Sequence, residues 1–267
     1  MPDVVDLGSG TGLSSRWASE FARSVVGVEP NADMRSQAEK RPMPNVAYRP
    51  GFSHDTGLGA ASADVIVAVQ AMHWMEPVST LTEVARLLRP GGVFATVDAD
   101  WPPVSGVAGA ELAWAVVHRR IRVFEARLAA GLSGTGLLAE ISDDDPALVD
   151  EDLADPHRNR AMPGGVVSWS KREHLANIAA SSYFDLVREL VFDFGPLTGG
   201  PDTPSQFVAL LRSQGSYQGL RRRGLSDVDL GVDLFEAEVN AAFVKAQQSR
   251  PLSFSWRVRL GWVKKDG

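Results

Sequence analysis

Hydrophobic and polar positions divide this chain into two rhythms. Up to about residue 100, short apolar runs alternate with stretches of helical period. Val4–Leu7, Ser24–Glu29, Val46–Arg49, Ala63–Val69 and Val93–Asp98 read as strands. The run Ala63–Val69 is almost wholly apolar, as expected of a strand covered on both faces. Between the strands, Leu13, Trp17 and Phe21 recur at i, i+4 and i+8, which predicts one buried helix face. Asn31 is placed to N-cap a short helix running to about Lys40. Leu81, Val84, Ala85 and Leu88 form a second helical stripe, stopped by Arg89-Pro90-Gly91-Gly92. Strands and helices in alternation imply parallel pairing in an α/β sheet.

After Trp101-Pro102-Pro103 the rhythm changes. Trp114, Val117, Ile121, Phe124 and Leu128 step by three and four and predict an amphipathic helix. Asp143-Asp144-Asp145 and His157-Arg158-Asn159-Arg160 follow in a polar stretch, and a strand pattern returns only at Leu186–Phe194. Thr203–Gln214 and Asp233–Gln248 read as helices. Leu252, Phe254, Trp256, Val258, Leu260 and Trp262 alternate with smaller or polar residues, the mark of a long period-2 strand. Three parts are expected: a nucleoside-binding half of the core at 1–103, a mostly helical cap at 104–182, and the remainder of the core, with two strands, at 183–267.

The chemistry concentrates at Val4-Val5-Asp6-Leu7-Gly8-Ser9-Gly10-Thr11-Gly12-Leu13. A buried strand there breaks into a glycine loop and then a helix. Alternate glycines let the backbone turn sharply and let a ligand approach closely. The helix start supplies free N–H groups and a partial positive charge. Asp6 can bind loop amides or a ligand cation. Glu29, at the end of the next apolar run, can accept from both hydroxyls of a ribose. The pattern is G-x-G-x-G, with Leu13 where the dinucleotide fingerprint has its third glycine. A nicotinamide-dependent oxidoreductase and a non-catalytic nucleoside-binding module stand as alternatives on these residues alone.

The order D-L-G-S-G-T-G, G-V-E-P, D-V-I-V-A-V-Q-A-M-H-W and L-L-R-P-G-G over residues 1–100 resembles the class I S-adenosylmethionine-dependent methyltransferases. Similarity is greatest to the small-molecule branch that includes trans-aconitate-type enzymes. The resemblance implies a Rossmann-like seven-stranded sheet of order 3-2-1-4-5-7-6, strand seven antiparallel, with a helical cap between strands five and six. It implies S-adenosylmethionine as cofactor and a small-molecule methyl acceptor. Cofactor contacts are expected from Asp6, Gly8, Ser9, Gly10, Gly12, Glu29, Pro30, Met34, Ser53, His54, Gln70 and Ala71. In related sequences a small residue and an acid follow the glycine after strand three. Here Ser53 and His54 stand there, and a neutral imidazole can accept from the adenine amine. Gln70 is expected to face the methionine moiety. His73 and Trp74 are expected to face the methyl donor or its acceptor, with His73 as a candidate base and Trp74 as an aromatic face for the sulfonium. Tyr217 is a candidate for the acceptor pocket, as are Asp98, Asp100, Trp101 and the arginines Arg119, Arg120 and Arg122. Relatives carry an upstream helix over the cofactor. With strand one starting near Asp3, either a late-assigned start or a protein without that cover is expected.

Composition narrows the field further. A net charge of −6 and a pI near 5.4 argue against general binding to nucleic acid, which needs a basic surface. Cysteine is absent, so there is no disulfide framework or thiolate metal site, and no metal is expected. No apolar run reaches membrane-spanning length and no signal peptide opens the chain, so a cytoplasmic enzyme is expected. The oligomeric state is left open.

Overall fold

The computed structural model describes residues 1–99, 105–129, 131, 160–161, 167–169, 171–194, 203–246 and 254–263. Asp100, Trp101, the acidic stretch around Asp143, His157 and Leu252 lie outside the described residues. The first half alternates as the sequence predicts: β1 (Asp3–Leu7), α1 (Leu13–Ser19), β2 (Ser24–Val28), α2 (Ala32–Glu39), β3 (Val46–Arg49), β4 (Ala63–Val69), α3 (Pro77–Leu87) and β5 (Leu88–Ala99). Then come α4 (Ala108–Ala129), a two-residue ladder of β6 (Arg160–Ala161) and β7 (Val167–Ser168), α5 (His174–Ala180), β8 (Phe184–Phe194), α6 (Pro204–Arg212), α7 (Gly215–Arg222), α8 (Val232–Lys245) and β9 (Phe254–Val263).

Seven strands form one sheet in the order β3-β2-β1-β4-β5-β9-β8. The first five pair in parallel, and β9 runs antiparallel to both β5 and β8. Strands six and seven of the expected order are thus β8 and β9, and the order is the expected 3-2-1-4-5-7-6. The helix starts follow local chemistry. Asn31 Oδ1 accepts from the amides of Asp33 and Met34, capping α2. Glu76 does the same for Val78 and Ser79, with Pro77 preset in the first turn of α3.

Two apolar clusters cover the sheet. Leu7, Ile66, Phe94, Leu81, Val84 and Leu87 join Ile178 and Phe184 on one side, and Val4, Ala18, Ala22 and Val25 form the other. A third core stands apart from the sheet. Trp114, Val117, Ile121 and Phe124 of α4 pack against Phe207, Leu211, Leu220, Phe235 and Val239 of α6, α7 and α8. The helices of residues 204–245, counted above with the last part of the core, therefore share their burial with α4. Helical period alone cannot say which surface an amphipathic stripe meets.

One expected face is corrected. Leu13, Trp17 and Phe21 are 70%, 62% and 58% exposed. The small residues Ser15, Ala18 and Ser19 turn inward instead. Small side chains let α1 lie close to the sheet, and Ser15 answers a carboxylate buried beneath it.

Candidate functional site: a cavity at the ends of the central strands

The chain leaves β1 through Gly8, Gly10 and Gly12, all with positive φ, and the last is the N-cap of α1. At two of these positions a side chain has nowhere to go. A Cβ at Gly8 would stand 2.7 Å from Ala71 Cβ, and one at Gly12 would meet the Tyr48 hydroxyl. The loop is therefore drawn against the end of β4, and amides of Gly8 and Ser9 donate to the Val28 carbonyl at 2.9 and 3.2 Å.

Glu29, 6% exposed, sits directly after β2 and braces the loop from the other side. Its Oε2 accepts from the Gly10 amide at 2.9 Å and its Oε1 from the Asn31 amide at 2.9 Å. Asp6 lies beneath, fully buried. Its Oδ2 accepts from Ser14 and Ser15 at 2.7 and 2.6 Å, while Oδ1 has no hydrogen-bond partner. Burial raises the Asp6 carboxyl to about 6 against the pull of the two serine hydroxyls, and the nearby Glu29 charge adds to the rise.

A cavity of about 1250 Å³ opens over this loop. Gly8, Ser9, Gly10, Glu29, Pro30, Met34, Ser53, Gln70, Ala71 and Trp74 all line it. Asp6 and Gly12 do not line it; they support the loop from behind. His54 is exposed and stacks on Phe52 at 5.6 Å, off the cavity wall, while Phe52 itself lines it. A short loop that turns one residue inward turns its neighbour out. Ser53 Oγ is shared with Thr80 Oγ1 at 2.8 Å.

Residues 5–96 match the Methyltransferase domain family. An uncharacterised methyltransferase of Mycobacterium tuberculosis is 36% identical over 89 residues, 33% of this chain and 36% of that protein. A candidate S-adenosylmethionine-dependent methyltransferase of Mycolicibacterium smegmatis is 33% identical over 93 residues, 34% of this chain and 36% of that one. The chain thus spans about a third of the length of these relatives. A solved structure of a candidate type II methyltransferase from Anaeromyxobacter dehalogenans aligns over 99% of this chain and 91% of its own, with 25% identity and a TM-score of 0.50. The chain carries a class I S-adenosylmethionine-dependent methyltransferase domain. Its cofactor is S-adenosylmethionine.

Several walls of the methyltransferase cavity escaped sequence reasoning. Leu13 and Trp17, expected in the core, line the cavity mouth, and Val67, Val69, Ala95, Val97, Phe192, Trp256 and Val258 line the sheet side. The alternation of β9 does place Trp256 and Val258 on one face. Nothing in that period says which face meets a ligand.

His73 and Trp74 follow β4 in a short 3-10 turn, Met72–Trp74. Only Trp74 lines the cavity. The His73 side chain turns towards a buried charge cluster, its Nδ1 3.8 Å from Asp98 Oδ1. Asp98, at the end of β5, also meets Lys171 Nζ at 3.6 Å, His174 Nε2 at 3.9 Å and Arg259 Nη1 at 3.1 Å. Burial alone would raise the Asp98 carboxyl; the His73 imidazole and the Lys171 and His174 side chains outweigh it and hold it below the usual carboxylate range. Burial lowers His174 to about 4, against the attraction of Asp98.

Tyr217 is not brought to the cavity. It is buried in the helical core, where its hydroxyl donates to Asp227 Oδ1 at 2.6 Å. Arg119, Arg120 and Arg122 do not line the cavity either, and Arg122 is buried rather than solvated. The resemblance of Gln214-Gly215-Ser216-Tyr217 to a short S-x-Y-like element of related enzymes made Tyr217 a candidate, but its place in α7 turns it towards α4. Among the described residues no group of His, Asp and Glu is arranged to hold a metal ion, and no helix is long and apolar enough to cross a membrane.

Proposed function

We propose that this protein transfers the methyl group of S-adenosylmethionine to a small-molecule acceptor. One observation carries the reading: the glycine loop, Glu29 and the end of β4 converge on one cavity whose remaining walls are mostly apolar. Glu29 brings to the cavity a carboxylate that can accept from ribose hydroxyls, and the glycine loop borders the same space. The cavity's volume exceeds the ~300–1,000 Å³ usual for one ligand, which leaves room for an acceptor beside the cofactor.

The chemistry asks for little beyond placement. The acceptor's lone pair attacks the methyl carbon in line with the sulfur. As that bond formed, the carbon–sulfur bond would break with its electron pair going to sulfur, giving S-adenosylhomocysteine, and any proton carried by the acceptor would pass to solvent. Holding donor and nucleophile in contact and excluding water supplies most of the acceleration. The Trp74 ring borders the region where the sulfonium charge would sit, a favourable place for a cation. His73 braces this turn from behind, and its backbone carbonyl accepts from the Trp169 amide at 2.7 Å. Its role in this reading is structural rather than that of a base. The net charge of −6 supports a small acceptor over a nucleic acid.

The test pairs binding with turnover. Calorimetry should detect S-adenosylhomocysteine, and transfer of labelled methyl should appear with a panel of small carboxylic acids, phenols and amines. Labelling confined to protein or nucleic-acid substrates would overturn the small-molecule reading. If His73 only braces the turn, His73→Gln should leave kcat per folded molecule nearly unchanged while lowering the melting temperature. A fall in kcat of ~10²–10⁴ with loss of the acidic limb of the pH–rate profile would instead make it a base.

A further inference from the structure

The residue that closes β4 is unusual in two ways. Gln70 lines the cavity, and it holds φ at +52° without being glycine. Such a conformation persists where the surroundings fix the residue. Here they do so from both ends. The Gln70 amide donates to the Val97 carbonyl at 2.8 Å, and the side-chain Oε1 accepts from Lys171 Nζ at 2.7 Å.

Lys171 comes from far along the chain, in the short 3-10 turn Lys171–Glu173 that leads into α5. It is only 9% exposed, and it also reaches the Ala99 carbonyl at 3.5 Å and Asp98 Oδ1 at 3.6 Å. The same stretch is pinned to the site by the bond from the Trp169 amide to the His73 carbonyl. Two contacts therefore anchor Trp169 and Lys171 to the end of β4 and the turn that follows it.

The lysine also settles the orientation of the glutamine. An ammonium can only donate, so the atom facing it must be the amide oxygen. The nitrogen end of Gln70 then makes no other hydrogen bond among the described residues. It can only donate, and so it suits an anion or a carbonyl and not an ammonium.

We propose that Lys171 is a positioning residue for cofactor binding: it fixes Gln70 so that the amide N–H groups meet the carboxylate at the amino-acid end of S-adenosylmethionine. This rests on the nucleoside reading of the cavity. It adds a residue outside the glycine loop and strand-end motifs, and it assigns a contact with the cofactor's carboxylate to the Gln70 side chain.

The experiment separates the two ends of the cofactor. The full-length protein and its Lys171→Met, Lys171→Arg and Gln70→Glu variants are titrated by calorimetry with two probes. S-adenosylhomocysteine has the amino-acid end; 5′-methylthioadenosine keeps the nucleoside and sulfur but lacks it. Lys171→Met should weaken S-adenosylhomocysteine ~5- to 20-fold and leave 5′-methylthioadenosine within ~2-fold, on the scale of one lost charge-assisted contact. Lys171→Arg should restore the wild-type ratio of the two affinities. Gln70→Glu keeps the partner of Lys171 but cannot donate, so it should lower the ratio at least as far. A general loss of packing would weaken both probes together and would overturn the proposal. So would an unchanged ratio in either Lys171→Met or Gln70→Glu; should Lys171→Met fail to fold, Gln70→Glu alone decides. Wild-type protein that binds neither probe would remove the nucleoside reading itself, and this inference with it. Wild-type protein that binds both, with variants of unchanged ratio, would remove this inference alone.

Discussion

Arg259 Nη1 donates to Asp98 Oδ2 at 3.1 Å across the antiparallel pair of β5 and β9, with both side chains almost completely buried. In the register Asp98 stands opposite Arg257 and Thr96 opposite Arg259, so the bond runs along a diagonal of one sheet face. Arg259 Nε also lies 2.8 Å from Glu189 Oε2 on β8. The pair thus ties three strands together beside the end of β4. His174 packs on the same carboxylate, with Arg259, His73 and Lys171 close enough to act on its charge.

His174 should make the protein sensitive to acid. Burial lowers its native value to about 4, whereas the unfolded chain titrates near 6.5. Below 6.5 the unfolded state takes up a proton that the folded state refuses. Stability attributable to this residue is therefore complete above 6.5 and is lost as pH falls towards 4, by about 3 kcal/mol in all. Urea unfolding of His174→Gln against wild type should show the variant losing less stability between pH 7 and pH 4.5. Parallel pH profiles would show that His174 is not the group concerned.

Asp6 should act in the opposite direction. Its native value of about 6 lies above the ordinary 3.8, so the folded state favours the neutral acid. Stability falls as pH rises from about 4 through 6, and the penalty is full above that, about 3 kcal/mol. Asp6→Asn should therefore be more stable than wild type at pH 7.5 and nearly equal to it at pH 4. A melting-temperature difference that does not grow over that interval would contradict the assignment.

Glu29 braces the glycine loop and, in the proposed reading, also holds the ribose; substitution can separate the two. Glu29→Ala leaves the Gly10 and Asn31 amides without their acceptor, costing about 1–3 kcal/mol of stability, and it should weaken S-adenosylhomocysteine ~5- to 150-fold. Glu29→Gln keeps one acceptor oxygen for the loop but can no longer accept at both oxygens. It should lose affinity with a smaller drop in melting temperature. Calorimetry and thermal melts on both variants check this, and an unchanged affinity in Glu29→Ala would remove Glu29 from the ribose.

Tyr217→Phe should behave as a core substitution. It deletes the hydroxyl that donates to Asp227 and leaves the ring in place. About 1 kcal/mol of stability should be lost, with the affinity for S-adenosylhomocysteine unchanged. A change in acceptor KM with no change in stability would return this tyrosine to the acceptor site.

The sheet was largely legible because each of its cues is local. Apolar runs set the strands, and the D-L-G-S-G-T-G loop and Glu29 declare their chemistry within a few residues of sequence. Period also found α4, whose stripe from Trp114 to Phe124 is buried. What was hidden depends on partners distant in sequence. Leu13 and Trp17 have a helical spacing that fits a core or a ligand wall equally well, and the decision lay with Ser15 and Ala18, which pack α1 closely. Lys171 carries no motif at all; only the fold brings it to Gln70, 101 positions earlier. Tyr217 failed for the reverse reason, a suggestive local spelling overruled by the neighbours of α7.

The helical core built from α4 together with α6, α7 and α8 has a practical meaning for anyone wishing to exchange this part of the protein. Its two contributions enter the chain on either side of β8, so no single contiguous cut removes it. A chimera that swaps only residues 105–129 would strip Trp114 and Phe124 away from Phe207 and Phe235, leaving half an apolar interior facing water. Both segments must travel together, as a matched set, for a transplanted lobe to stay soluble and folded on a new host sheet.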